Sequence, residues 1–183
     1  MILREYKGDN MEKVDVLISE KEIEKKVTEV ANQIMQDYED KPITFICVLK
    51  GASVFMVDLA KKIKNSVEFE FIRTSSYENG TESTGVVRLL KDIEISIEGK
   101  DVIIIEDILD TGRTLNYLKD YFLRQNPNSL KVCTLLDKPD RRVVDVKADY
   151  NAFSIPDKFV IGYGLDYAEK YRNLPFVGVL SNV

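Results

Sequence analysis

Histidine is absent from the chain, which removes Ser-His-Asp and Cys-His catalysis and every His-containing zinc site. The two cysteines lie in the apolar contexts "ITFICVL" and "LKVCTLLD". They are too few for a structural zinc site and read as buried small hydrophobes in a reducing compartment. No apolar run approaches the roughly 18 residues needed to cross a bilayer. The opening "MILREYKGDNMEK" lacks the apolar block of a signal peptide, so a cytoplasmic address is expected. Positive charge is also scarce: 26 Lys and Arg face 31 Asp and Glu, a net charge of −5. That balance argues against general nucleic-acid binding, yet it permits a local basic pocket around a small anion. Acid-base chemistry is left to Asp, Glu, Lys, Tyr, Cys or the substrate. Any metal site should be built from carboxylate and other oxygens, which favours Mg2+.

What is present suits one domain spanning residues 1–183. Ser19 and Glu22 form a capping-box pattern ahead of Ile23, Val27, Val30, Ala31, Ile34, Met35 and Tyr38 at helical spacing. After Pro42, residues 43–49 read as a strand buried on both faces, Lys50-Gly51 as a turn, and Phe55, Leu59 and Ile63 as a helix stripe. Residues 67–73 alternate like a half-exposed strand. Residues 74–85, "TSSYENGTESTG", are polar and aperiodic and read as a long loop, a candidate lid. Strand character returns at 86–90 and 101–107, a helix is expected from Arg113, and further strands at 130–136, 159–164 and 176–180. Buried strands alternating with amphipathic helices predict an α/β fold, a mainly parallel twisted sheet with helices on both faces.

In such sheets ligands sit beyond the carboxyl ends of the strands. Four strand ends carry unusual residues: Lys50-Gly51; Glu106-Asp107 followed by Asp110 and Thr111-Gly112-Arg113-Thr114; Asp137-Lys138; and Asp166. The Thr-Gly-Arg-Thr run stands at a strand-to-helix turn, where free N–H groups and the helix dipole favour an anion such as phosphate. The adjacent acids would repel a phosphate, and they fit neutral hydroxyls or a metal a few ångströms away. A phosphorylated sugar offers both features. "GTESTGVV" lacks the Lys-Ser/Thr of a P-loop, and "GYGLDY" has Tyr167 where a dinucleotide fingerprint needs its third glycine.

"VIIIEDILDTGRT" resembles the phosphoribosyl-pyrophosphate (PRPP) signature of the type I phosphoribosyltransferases. "VLKGAS", "LLDKPDRR", "DKFVIGYGLDYAEKYRNLP" and the terminal "VGVL" are similar to the 6-oxopurine branch of that family, from about residue 43 to 180. The resemblance implies purine salvage: Mg-dependent transfer of the 5-phosphoribosyl group from PRPP to N9 of hypoxanthine or guanine, with release of pyrophosphate. It implies a small hood formed by the N- and C-terminal segments and a flexible lid at 74–85. It also implies a homo-oligomer, a dimer or tetramer.

Residue by residue, the resemblance gives Glu106 and Asp107 the ribose hydroxyls, directly or through Mg2+. Thr111, Gly112, Arg113 and Thr114 take the 5′-phosphate, and Asp110 acts as general acid/base at the purine N7. Lys138 would donate to the 6-oxo group, which disfavours adenine because an ammonium accepts no hydrogen bond. Phe159 would stack on the base and the Val160 carbonyl would read its 2-position. Asp166, on the purine side, would bind a second Mg2+. Lys50, Gly51 and Arg172 would contact pyrophosphate, with the Lys50–Gly51 peptide expected to be cis, and Ser75, Ser76 and Tyr77 would close over it. Arg141-Arg142 stays open between a solvated basic pair and an oligomer contact. Two other readings remain: a nucleic-acid-binding regulator on the same fold, and a transferase that uses xanthine.

Overall fold

The computed structural model describes residues 14–79 and 82–180. Its main strands are β2 (Ile43–Leu49), β3 (Val67–Asn79), β4 (Glu82–Lys91), β5 (Asp101–Leu109), β6 (Ser129–Asp137) and β7 (Tyr150–Ser154). They form a six-stranded sheet in the order β4-β3-β2-β5-β6-β7. Strands from β3 to β7 are parallel to their neighbours, and β4 turns back antiparallel on β3. A second, three-stranded sheet joins the two ends of the chain: β1 (Val14–Ile18), β9 (Val177–Leu180) and β8 (Val160–Ile161), in that order.

The unbroken apolar runs follow from helices covering both faces of the large sheet. Successive strand residues point to opposite faces. Ile103 and Ile105 therefore join Phe45, Cys47, Cys133 and Leu135 under α1 (Glu20–Tyr38) and α2 (Ser53–Ala60), with Val27, Ile34, Phe55 and Leu59. The intervening Val102 and Ile104 join Ile46, Val48 and Val132 against Leu115, Leu118 and Phe122 of α3 (Arg113–Leu123). Each fully buried Ile, Leu, Val or Phe contributes roughly 1.5–3 kcal/mol relative to exposure. A charge placed at Ile104 would break the α3 side of this packing.

The start of α1 is as the sequence indicates. The Glu22 N–H donates to Ser19 Oγ at 3.4 Å, and the Ser19 N–H donates to Glu22 Oε2 at 2.8 Å. Its stripe is buried at Ile23, Val27, Val30, Ala31, Ile34 and Tyr38.

Three sequence expectations change. Residues 74–85 are not an irregular loop: β3 runs to Asn79 and β4 starts at Glu82, with Ser75 opposite Arg88 and Glu78 opposite Ser83. Backbone pairing makes this hairpin, so its polar composition hid it; residues 80 and 81 lie outside the described residues. The helix stripe that includes Ile63 is cut short because α2 ends at Ala60, although Ile63 is itself buried. Finally, β1 and β7 are not among the strands expected from the sequence. β1 exists through its pairing with the distant β9, Val14 opposite Leu180. β7, "YNAFS", pairs with β6 through Leu136 and Phe153, with only its two aromatics favouring a strand.

Candidate active site

β2 and β6 flank β5. The registers Cys47 with Ile105, and Leu109 with Asp137, bring the carboxyl ends of all three strands together. Lys50-Gly51, Glu106 to Thr114 and Asp137-Lys138 therefore meet at one edge. The cis peptide at the end of β2 is Leu49–Lys50, one bond earlier than the Lys50–Gly51 bond expected from the sequence. The turn begins there, and the Lys50 carbonyl accepts from the Ser53 N–H at 3.3 Å and Ser53 Oγ at 2.8 Å.

Glu106 is buried, and its Oε2 has no hydrogen-bond partner among the described residues. Burial, then the neighbouring Asp107, pushes the Glu106 carboxyl well above its ordinary range. Asp107 is pushed up by burial, opposed by hydrogen bonds from Glu106 and Ile108 and by the charge of Arg172. An orphaned buried carboxylate oxygen calls for a donor or a cation. Ribose hydroxyls fit that demand, and so does a divalent ion. The described residues hold no cluster of three or more His, Cys, Asp or Glu side chains suited to a metal. An ion here would thus take further oxygens from substrate and water, as Mg2+ commonly does.

The next residues change direction. Gly112, with φ +87°, caps α3 in the left-handed region and brings no capping side chain of its own, while the Arg113 N–H donates to Thr111 Oγ1 at 3.5 Å. A Cβ at Gly112 would meet Val146 Cγ1 at 2.6 Å, so backbone and space both require glycine. The Thr111 carbonyl is held by the N–H groups of Val143 and Val144 at 3.0 and 3.1 Å. The N–H groups that follow in the first turn of α3 make the helix start a natural seat for phosphate.

Lys138 is only 7% exposed, unlike a solvated strand-end charge. Its Nζ lies 3.5 Å from Asp157 Oδ1, and its N–H donates to the Leu109 carbonyl at 2.9 Å. Arg141 and Arg142 are not a free basic pair. Arg141 Nε donates to Asp110 Oδ1 at 3.2 Å, and its Nη1 lies 3.6 Å from Asp157 Oδ2. Arg142 bonds the Asp137 carboxylate and the Asp110 carbonyl. Sequence reasoning missed the role of Asp157 altogether; the only signal was its place in "IPDKF".

A third group gathers around Arg172. It donates to the Gly164 carbonyl at 2.8 Å and pairs with Asp166 at 2.8 Å. Glu169, also missed, accepts from Lys50 at 2.9 Å and from Arg172 at 3.3 Å. Lys50 and Arg172 share Glu169, and Asp166 pairs with Arg172, whose charge also reaches Asp107. A Cβ at Gly164 would overlap the Gly51 carbonyl, so the segment after β8 is pressed onto the turn after β2. Phe159 is 51% exposed and edge-on to Tyr167, with ring centroids 5.7 Å apart. An exposed aromatic ring suits a stacker better than a core residue. Val160 is buried in β8. The side chains of Ser76 and Tyr77 lie outside the described residues; Ser75 pairs with Arg88 in the hairpin.

Comparison with known proteins gives a consistent result. The phosphoribosyl transferase domain family matches residues 14–168. A hypoxanthine-guanine phosphoribosyltransferase of Bacillus subtilis is 53% identical over 166 residues, 91% of this chain and 92% of that protein. The crystal structure of a hypoxanthine-guanine phosphoribosyltransferase from Bacillus anthracis superposes with a TM-score of 0.87 at 56% identity, covering 90% of this chain and 97% of that one. A Trypanosoma cruzi hypoxanthine phosphoribosyl transferase gives a TM-score of 0.88 at 43% identity, covering 94% of each chain.

Proposed function

The chain belongs to the phosphoribosyl transferase family, and from that premise we propose that it is a purine salvage enzyme. It transfers the phosphoribosyl group of PRPP to N9 of hypoxanthine or guanine. The observation that carries this reading is Lys138, a buried donor-only cation at a strand end, linked through Asp157 and Arg141 to the Asp110 carboxylate. A base placed between the two offers its 6-oxo oxygen to Lys138 and its N7 to Asp110. Adenine presents an amino group to an ammonium, and the pair is repulsive.

The N–H groups at the start of α3 and the hydroxyls of Thr111 and Thr114 hold the 5′-phosphate, with Gly112 allowing close approach and Arg113 beside it. Glu106 and Asp107 accept from the ribose hydroxyls and would hold Mg2+. Asp166 would hold a second ion. When bound, Mg2+ supplies charge neutralisation at the departing pyrophosphate. Lys50, Gly51 and Arg172 bind that same group and stabilise its growing charge as the C1′ bond lengthens. N9 bonds to C1′ while Asp110 takes the N7 proton. Phe159 packs on the base face, and the Val160 carbonyl accepts from a 2-amino group. The β3–β4 hairpin, with Ser76 and Tyr77, covers the pyrophosphate and keeps water from the electron-poor C1′.

Two broader statements belong to the same reading. The cysteines are unpaired and buried, which suits a reducing, cytoplasmic setting; among the described residues no helix is long and apolar enough to cross a membrane. A homo-oligomer is also part of it, by extension from the relatives.

The test is direct. Incubate the protein with PRPP and Mg2+ against hypoxanthine, guanine, xanthine and adenine separately, and quantify nucleotide and pyrophosphate. Product from hypoxanthine or guanine that disappears on chelation supports the reading. Product from xanthine alone redefines the base, and no product from any base removes the enzyme.

A further inference from the structure

Asp157 lies between β7 and β8, and the mechanism above leaves it without a task. Its two carboxylate oxygens are divided: Oδ1 is 3.5 Å from Lys138 Nζ and Oδ2 is 3.6 Å from an Arg141 nitrogen. Arg141 uses Nε to reach Asp110 Oδ1 at 3.2 Å. Charges of alternating sign thus run Lys138, Asp157, Arg141, Asp110, and the two ends are the groups that address the base.

The links are not equivalent. The side chains of Asp157, Arg141 and Asp110 are 51%, 49% and 38% exposed, but that of Lys138 is 9% exposed. Exposed pairs contribute little because water screens them. A buried ammonium is different, since it needs a counter-charge. The effect of Asp157 should therefore be concentrated on Lys138. The turn carrying Asp157 is held by backbone bonds, Ile155 N–H to the Asp137 carbonyl and Lys158 N–H to the Pro156 carbonyl, each at 2.8 Å. Its carboxylate is free of any part in holding that turn.

We propose that Asp157 is a positioning residue for base selection: it holds the Lys138 ammonium toward the 6-oxo group and, through Arg141, orients the Asp110 carboxylate. This rests on the assignment of Lys138 and Asp110 to the base. Loss of the Asp157 charge lets the Lys138 ammonium turn away from the base, which weakens 6-oxopurine binding without touching the PRPP subsite.

The experiment compares Asp157→Asn, Asp157→Glu and Arg141→Gln in the full chain, with steady-state kinetics for hypoxanthine and PRPP and a thermal melt for each. Asp157→Asn should raise KM for hypoxanthine about tenfold while KM for PRPP stays within about twofold, between the expectations for an exposed and a buried pair. Asp157→Glu, which keeps the charge, should recover most of that loss. Arg141→Gln should lower kcat more than it raises KM for hypoxanthine. An Asp157→Asn variant with unaltered KM for hypoxanthine, or one whose two KM values rise together, overturns the inference while leaving the salvage reading in place. A wild-type chain that uses no 6-oxopurine overturns the reading beneath it as well.

Discussion

Gly51 presses on the side chain of Asp107: a Cβ at position 51 would overlap Asp107 Oδ2 and stand 2.6 Å from its Cγ. The turn after β2 and the acidic end of β5 are thus set against each other with room only for a hydrogen. Gly51→Ala should displace the Asp107 carboxylate by about an ångström and reduce kcat/KM for PRPP about 100-fold. Overpacking should cost the fold about 1–3 kcal/mol. Kinetics with PRPP varied, beside a thermal melt, checks both. A variant as active as the wild type would mean that Asp107 does not act from the position in which Gly51 holds it.

One oxygen of Glu169 accepts from both Lys50 and Arg172. The Lys50 hydrogen bond, then that of Arg172, holds the Glu169 carboxyl below its usual range. Pyrophosphate drawn to the same two cations must compete with this carboxylate. Glu169→Gln should therefore tighten pyrophosphate binding by about threefold at low salt, with the gap closing as salt screens these exposed charges. Titration calorimetry at two ionic strengths measures it. Weaker binding in the variant would show instead that Glu169 orients the cations.

At the base, two substitutions separate chemistry from recognition. Asp110→Asn keeps shape but cannot take a proton, so kcat should fall about 10²–10⁴-fold with PRPP binding little changed. Lys138→Gln replaces a donor-only group by one that also accepts, and selection of hypoxanthine over adenine should relax by about an order of magnitude. Competition between the two bases for one PRPP pool gives the ratio directly. An unaltered ratio would detach Lys138 from base choice.

The parts of this structure that were legible in the sequence are those with local causes. Ser19 with Glu22 marks a helix start, Thr111-Gly112 a strand-to-helix turn, and the Ile and Val runs of β2 and β5 a sheet covered on both sides. Glu106 and Asp107 stood out because charges rarely close such runs. What stayed hidden depends on distant partners. β1 is a strand because β9 lies beside it. Residues 74–79 are strand because the chain returns along them. Asp157 and Glu169 look like ordinary surface acids until Lys138, Arg141, Lys50 and Arg172 are brought against them from other elements. The arginine pair after Pro139 was ambiguous for the same reason: its partners, Asp110, Asp137 and Asp157, are fixed only when β5, β6 and the turn after β7 come together.

Cys47 gives a prediction of a different kind, because it lies in β2 opposite Ile105, next to Glu106. Burial, then the charges of Glu106 and Asp107, pushes its thiol up to about 12. A thiolate there would add a third negative charge to a region already short of solvent. In the unfolded chain the thiol titrates near 8.5. Between these values the folded state keeps a proton that the unfolded state has lost, so this contribution to stability is complete below about pH 8.5 and declines as pH rises toward 12. The slope for one such proton is at most about 1.4 kcal/mol per pH unit. Cys133 is raised by burial as well, so the comparison must isolate Cys47. Denaturant unfolding of wild type and Cys47→Ala from pH 7 to 11 should give curves whose separation shrinks as pH rises, the variant being the weaker at pH 7 for its lost packing. In the native wild type neither thiol should react with a thiol reagent at pH 8 faster than the chain unfolds. A constant separation across that range would mean that Cys47 does not titrate on unfolding, and prompt native labelling would place it within reach of solvent.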